Sequence, residues 1–435
     1  MYNKEKSDLY KSYLNRTTFK AWKKGTNPNY QTVELYINSI CDQKCTYCYL
    51  WKHKKDYFPP GSENNEKIMN NLVLFLDWLD ENEMRPEKFE IFSGEIFSQQ
   101  IGFDIVELLF KRLHRGQKII VPSNMNFLFN DEKTEHIKKL FEMSQLKGIG
   151  FHLSASVDGP YMEENRKIIN KQLIRTPEWY DKLFTFAKQY NCGFHPMIYS
   201  KNIKDWKENW LWFQKNLKEY DLPYHNIYLL EIRDYDWNDE QIKDFSGFLE
   251  FLYYWLFDFC NHDKELFIKE LFKNGFNILN ASLTTIGRGI GCSIQSTFTL
   301  RLGDLTIVPC HRLAYDFMET AKFVVDNNKI VDIEGKNIEL GMSIATVNHD
   351  SMPFCETCTI KDLCSGGCLG SQFETTGDVF TPIPTVCKFE HAKIITMLKA
   401  LNKIGVLSSV INRVSENKKI GINMLLERGE ENGIY

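Results

Sequence analysis

Cys41-Asp-Gln-Lys-Cys45-Thr-Tyr-Cys48 sets three cysteines at Cys-x3-Cys-x2-Cys spacing, directly after Thr32-Val-Glu-Leu-Tyr-Ile-Asn38. In that preceding run Val33, Leu35 and Ile37 alternate with more polar residues, which is the period of a strand. The cysteines therefore sit on a loop at a strand's end. Three thiolates on a short loop can hold three irons of a 4Fe–4S cube and leave the fourth iron without a protein ligand. The same residues can be half of a structural zinc site, because Cys-x2-Cys is also a zinc spacing. An iron with an open position suits a reactive cofactor; a pure electron carrier has no use for one.

The totals narrow the class. A length of 435 residues predicts two or three domains with ample core. Apolar residues at 43% and charged ones at 25% are the range of an ordinary globular chain. Lys plus Arg (53) nearly balance Asp plus Glu (57), so no broad basic field argues for nucleic acid. The chain opens Met1-Tyr-Asn-Lys-Glu-Lys-Ser-Asp, without the apolar core of a signal peptide. The most apolar run, Phe248 to Cys260, is interrupted by Glu250 and Asp258 and is too short for a bilayer. A cytoplasmic protein without membrane attachment is expected, and in a reducing compartment its twelve cysteines read as metal ligands rather than disulfides.

Working outward from the cysteine loop, strand-like runs recur at 32–38, 88–95, 118–124, 148–159, 193–200 and 226–234, with helix-period stretches at 66–84, 103–115, 131–143, 176–190 and 205–217. Alternation of this kind specifies a parallel sheet with right-handed crossovers, and six units make an α/β partial (β/α)6 TIM barrel. Sites in such sheets gather at the carboxyl ends of the strands. Those ends are polar here: Ser93-Gly94-Glu95, Ser123-Asn124, Ser154-Ala-Ser156-Val-Asp158, Tyr199-Ser200 and Glu231-Ile-Arg233-Asp234. The cysteine loop shares that rim. Before the barrel, residues 1–30 carry seven Lys or Arg against two acidic residues and read as an N-terminal arm, too small for a separate peptide-binding domain. After it, residues 239–283 form a helical bridge whose aromatic density is expected to pack on the barrel. Cys192 and Cys260 read as buried core thiols.

At the first cysteine motif the chain resembles the radical S-adenosylmethionine (radical SAM) superfamily, whose pattern is Cys-x3-Cys-x-aromatic-Cys with Tyr47 in the aromatic slot. The resemblance implies a cube held by Cys41, Cys45 and Cys48 whose open iron chelates SAM. One electron then cleaves the sulfonium to methionine and a 5′-deoxyadenosyl radical. It also implies SAM contacts at the strand ends. Ser93-Gly94-Glu95-Ile96 keeps the Gly-Glu of the family's Gly-Gly-Glu-Pro, and Glu95 is assigned to the methionine ammonium, since a buried cation needs a partner. Ser123 and Asn124 stand where Thr-Asn is usual. Ser154-Ala-Ser156-Val-Asp158-Gly159-Pro160 resembles the Ser-x-Asp-Gly-Pro element of peptide-modifying members, with Ser156 a donor to SAM. Arg166 or Arg175 pairs the carboxylate, or either is a solvated charge; Asp158 contacts the cofactor or caps the following turn.

From residue 292 the cysteines run Cys292, Cys310, Cys355-x2-Cys358-x5-Cys364-x3-Cys368 and Cys387, with a hairpin expected to turn at Gly303. This resembles the SPASM domain, the small α+β auxiliary iron–sulfur extension of radical SAM enzymes. The resemblance implies one auxiliary cube on Cys355, Cys358, Cys364 and Cys387, and another on Cys292, Cys310 and Cys368 that lacks a fourth cysteine. Its fourth ligand is a substrate thiolate, another residue such as His311, or solvent. Residues 355–368 are too short a segment to surround two cubes, so distant cysteines must return. The alternative is a pair of zinc sites. The expected domains are an arm (1–30), the radical SAM barrel (31–238), the bridge (239–283), the SPASM domain with two clusters (284–395) and a helical tail (396–435).

The implied activity is that of an oxidoreductase: a radical SAM/SPASM maturase that oxidatively modifies a ribosomally made precursor peptide, with cross-linking as the expected outcome. Three 4Fe–4S clusters and SAM are the cofactors. The implied partners are the peptide and a reductant such as flavodoxin or ferredoxin; with no peptide-recognition domain expected at the N-terminus, leader binding falls to the barrel rim or to a separate leader-binding protein. Alternatives are sulfatase-maturating-type oxidation of a protein Cys or Ser, radical chemistry on a small molecule, peptide modification without cross-linking, and a metal-stabilised peptide-binding module. Sulfatase-maturating members usually carry Asp where His311 follows Cys310. No residue stands out as the catalytic base.

Overall fold

A computed structural model describes residues 32–233, 237–273, 277–284, 294 and 297–432. The expected N-terminal arm at 1–30 and the expected ligand Cys292 lie outside the described residues. The chain divides into two compact units.

The first unit comprises the described parts of Met1–Val157, Glu164–Phe194 and Ser293–Thr346. Its strands and helices begin in the expected rhythm: β1 (Thr32–Tyr36), β2 (Gln43–Cys45), α1 (Tyr49–Tyr57), α2 (Asn65–Glu81), β3 (Lys88–Phe92), α3 (Gln100–Arg112), β4 (Lys118–Ser123), α4 (Asp131–Lys147), β5 (Gly150–Ala155), β6 (Arg166–Ile168), α5 (Pro177–Tyr190) and β7 (Gly193–Phe194). Strands β1, β3, β4, β5 and β7 pair in parallel in that order. The helices start where the sequence offers an acceptor. Asn64, Asn130 and Thr176 each take a backbone N–H of the following turn, and Pro177 fills the first position of α5. On α2 the spacing of Ile68, Leu72, Phe75, Leu76 and Leu79 buries one face. All five residues of β1 are buried, its polar Glu34 included, because this strand is covered on both faces.

The second unit comprises Asp158–Glu163, His195–Cys292 and Val347–Tyr435, again within the described residues. The strand expected over 193–200 is broken at His195-Pro196: a proline cannot donate to a ladder. Beyond it β8 (Met197–Ile198) pairs in parallel with β9 (Leu230–Glu231), flanking α6 (Trp206–Glu219). The bridge consists of α7 (Asp239–Phe259), α8 (Lys264–Leu271) and α9 (Asn277–Thr284). Its aromatic face packs on the crossover helix α6, with Trp210 and Trp255 edge to face at 5.1 Å, and also on the later helix Pro384–Ile404, where Phe245 stacks on Phe389 at 4.2 Å. Among the described residues no helix is long and apolar enough to cross a membrane.

After the bridge the chain returns to the first sheet. β10 (Thr297–Arg301) pairs in parallel with β1, and β11 (Thr306–Val308), β12 (Ala321–Asp326) and β13 (Lys329–Gly335) continue antiparallel from it. The hairpin expected around Gly303 therefore extends the barrel sheet to nine strands. Arg301, fully buried, holds the hairpin through Asp304 at 2.7 Å and Glu319 at 2.6 Å. At the turn, a Cβ on Gly303 would lie 1.6 Å from the backbone oxygen of Ser62. Gly303→Ala is accordingly expected to cost about 3 kcal/mol or more, read as a lowered denaturation midpoint, because backbone rather than a side chain must give way.

Candidate functional site

The first unit carries a cavity of about 180 Å³ whose lining includes Cys41, Cys45, Cys48, Gly94, Glu95, Ser123, Asn124, Ser156 and Arg166, with Gln43, Trp51 and Phe92 also in the wall. Residues drawn from four strand ends and the cysteine loop thus meet in one place. The loop that leaves β1 is held from both sides. Ser39 donates its N–H and hydroxyl to Glu63 at 2.6 and 2.7 Å, and Asn38 accepts from Ile40 and Ser93. Gly94 N donates to Asn38 O and Glu95 N to Ile40 O, so the end of β3 is laced to the loop. No side chain fits at Gly94: a Cβ there would lie 2.2 Å from Ile40 O. Cys48 caps α1, its sulfur accepting from Trp51 N.

Glu95 is the buried acid of the cavity. It accepts from Ser123 Oγ at 2.9 Å, Asn124 N at 2.6 Å and Phe97 N at 3.3 Å. Burial nevertheless pushes its carboxyl up to about 7, with Asp42 adding to the rise against these donors. Burial likewise raises the thiols of Cys41 and Cys48, Arg166 and Arg312 opposing it at Cys48. Thiolates in such surroundings need a cationic partner.

Behind the cavity lies a web that the sequence does not announce. Asp42 accepts from the side-chain amides of Asn124 at 2.6 Å and Asn126 at 3.1 Å. Arg175 donates to Asn124 O and Asn126 Oδ1, under the ring of Trp179. Of the two candidate arginines, Arg166 therefore lines the cavity, its guanidinium 5.4 Å from the centre of the Tyr47 ring, while Arg175 braces the loop after β4. Asp158, in the second unit, turns its carboxylate to Met197 N at 2.9 Å and its carbonyl to Asn209. That is a loop-fastening arrangement. His311 places Nδ1 3.2 Å from the buried Glu34 and stacks on Phe92 at 3.9 Å. Cys310 is half-buried beside it.

In the second unit Cys355, Cys358 and Cys387 lie close enough to influence one another. After burial, Cys387 and Cys358 are what raise the Cys355 thiol, to about 11, and Cys358 and Glu390 raise Cys387. Burial and then Glu390 raise Cys364. A buried ion cluster supports the 364–368 turn. Lys393 donates to Glu231 and Glu390 at 2.9 and 3.3 Å, and Arg233 to Glu231 at 3.0 Å and Gly366 O at 2.8 Å. Burial works against the Glu231 carboxylate, yet Lys393 and Arg233 hold it down at about 2. His349 is 2% exposed, and neither of its ring nitrogens has a partner among the described residues. An imidazole always carries at least one N–H, so such an orphan marks a place that a further polar component completes.

Among the described residues no three His, Cys, Asp or Glu side chains converge on one metal ion. The donor chemistry does fit iron–sulfur cubes: grouped thiols raised by burial in both units, and an orphaned imidazole in the second. Cys41, Cys45 and Cys48 are the residues that can hold one cube, and Cys355, Cys358, Cys364 and Cys387 another.

The fold is that of a radical SAM enzyme with a C-terminal SPASM domain. The solved structure of anSMEcpe with bound AdoMet superposes with a TM-score of 0.56 at 18% sequence identity, covering 91% of this chain and 98% of that one. Structures of anSMEcpe with bound AdoMet and the Kp18Cys or the Cp18Cys peptide each give 0.54 at 19% identity, covering 86% of this chain and 99% of theirs. No protein-family model matches the chain, and no curated protein is similar to it in sequence.

Proposed function

We propose that this chain is a radical SAM/SPASM oxidoreductase that modifies a peptide, with an oxidative cross-link as product. The observation that carries the reading is the single cavity that joins three cysteines to Gly94, Glu95, Ser123, Asn124, Ser156 and Arg166. When bound, a 4Fe–4S cube and SAM supply one-electron reductive cleavage of a sulfonium and, from it, a hydrogen-abstracting organic radical. The chain's own groups do the rest. Glu95 faces the cofactor's ammonium, Arg166 its carboxylate, and Ser123, Asn124 and Ser156 offer neutral hydrogen bonds around them. Cys355, Cys358, Cys364 and Cys387 would hold one auxiliary cube and Cys292, Cys310 and Cys368 another, and such cubes would supply an acceptor for the electron of an oxidative product. A peptide substrate is supported by the likeness to anSMEcpe structures that hold peptides.

The test is anaerobic reconstitution with iron and sulfide, then incubation with SAM, reductant and the product of a short reading frame beside the gene. Loss of about two hydrogens from the peptide, with 5′-deoxyadenosine formed, supports cross-linking. A product aldehyde that reacts with hydrazine would support the sulfatase-maturating alternative instead, and a gain of methyl or oxygen would overturn both. The two arginines separate binding from bracing. Arg166→Ala is expected to weaken SAM binding about 10- to 100-fold, the worth of a charge-assisted hydrogen bond. Arg175→Ala is expected to lower the unfolding midpoint with a smaller change in SAM affinity, both read by calorimetry.

A further inference from the structure

In the two-stranded antiparallel ribbon of β2 and β6, Gln43 pairs with Ile168, Lys44 with Lys167 and Cys45 with Arg166. Successive side chains alternate between the faces of a strand. One face of the ribbon therefore carries Gln43, Cys45 and Arg166, all of which line the cavity. The other carries Lys44 and Lys167, directly opposite each other and both exposed. Like charges set across a ladder repel. The repulsion is not relieved nearby, since among the described residues neither lysine has a carboxylate partner.

The adjoining helix extends the charge. Trp51 on α1 lies under two ammonium groups, Lys44 at 5.6 Å and Lys54 at 4.3 Å, and Lys52 and Lys55 are exposed on the same helix. The acids of the segment are turned away. Asp42 is held by Asn124 and Asn126, and Asp56 faces His53 at 3.6 Å. Two exposed apolar residues flank the cysteine loop: Ile40 just before Cys41, and Ile169, whose N–H donates to Asp42 O and prolongs the ribbon. Lysines on a ribbon edge also discourage strand addition. That role accounts for Lys44 and Lys167 but not for the lysines of α1 or the exposed isoleucines.

We propose that the outer face of this ribbon, with the adjoining face of α1, docks an acidic one-electron carrier protein of the flavodoxin or ferredoxin class. Lys44 is the chain neighbour of Cys45, and Lys167 pairs with Lys44 across the ribbon, so a carrier seated there lies one strand from a cysteine that can hold the cube. The carrier is oxidised by one electron and the cube behind the ribbon is reduced by one; no proton or group moves. Charge complementarity selects the partner and speeds its encounter. The inference rests on the proposed function above.

The test uses the iron-loaded full chain, an acidic flavodoxin as probe, and two charge-reversed variants, Lys44→Glu/Lys167→Glu and Lys52→Glu/Lys55→Glu. Flavodoxin binding by calorimetry is expected to weaken at least tenfold in each variant and to fall steeply with salt in the parent. Flavodoxin-driven SAM cleavage should fall in parallel, while dithionite-driven cleavage stays within about twofold, which also reports that the variants are folded. Unchanged flavodoxin binding in both variants, or binding insensitive to salt, overturns the docking surface. So does a polyglutamate peptide that needs these lysines when flavodoxin does not. Failure of the parent to cleave SAM with dithionite would count against the enzymatic reading instead, and the binding arm would still decide the docking.

Discussion

Changing Cys41, Cys45 and Cys48 together to alanine is expected to bring reductive cleavage of SAM below detection and to lower bound iron from about twelve to about eight per chain. Burial disfavours the ionised form of Cys41 and Cys48, so each is an acceptable thiolate only against a cation such as iron, and no other cysteine among the described residues lines the cavity that these two share with Cys45. The change should leave the strand end intact, because Gly94 and Glu95 are tied to the loop through the backbone of Asn38 and Ile40 rather than through sulfur. Removing Cys355, Cys358 and Cys387 is expected to give the opposite pattern: SAM still cleaved to 5′-deoxyadenosine, but no oxidised peptide. Iron analysis with electron paramagnetic resonance, and chromatography of the nucleoside, read both arms. A triple variant of the first motif that still fragments SAM reductively would sink the proposal.

What the sequence discloses and what it hides follow from distance along the chain. The cysteine loop and the polar strand ends are local patterns, each contained within a dozen residues, and the parallel α/β rhythm is a repetition of such local patterns; together they predict both the barrel and the rim on which the cavity lies. Partnerships across the chain leave no such mark. Asp42 meets Asn124 and Asn126 from 82 and 84 residues away, and nothing near Asp42 distinguishes it from a solvated acid in a loop. Arg166 and Arg175 look alike in sequence; only the pairing of β6 with β2 turns one toward the cavity. The hairpin at Gly303 is legible from its alternation and its glycine, whereas its parallel docking on β1, from Thr32↔Thr297 to Tyr36↔Arg301, is not. Two strands of matching hydrophobicity carry no label saying that they are neighbours. His349 carries a faint signal, a histidine six residues before Cys355 and its partner Cys358, but a lone histidine is so often a satisfied core residue that position alone does not single it out.

Glu95→Gln is expected to weaken SAM binding about 30-fold or more and to change how stability depends on pH. Truncating one partner of a buried charge pair costs about 2–5 kcal/mol, much of it from the charge left behind. In the free protein the carboxyl titrates at about 7 against an ordinary 4.5, because burial outweighs the Ser123, Asn124 and Phe97 donors. A carboxyl whose folded value is raised contributes stability that is complete below pH 4.5 and is lost as pH climbs through 7. That loss is worth up to about 3 kcal/mol at pH 8, and the glutamine variant, which cannot ionise, should not show it. Chemical denaturation at pH 5 and pH 8 should therefore show a smaller pH difference in Glu95→Gln than in the parent. Binding runs the other way. Below about pH 7 the parent carries a neutral Glu95 and its affinity for SAM should fall with each further drop in pH, while the variant, already neutral, stays weak and flat. A parent whose SAM affinity does not change between pH 6 and 8 would remove Glu95 from the ammonium. The opposition between the two pH trends locates the acid's purpose: the fold holds this carboxylate at a cost to its own stability, and recovers that cost only when a cation arrives in the cavity.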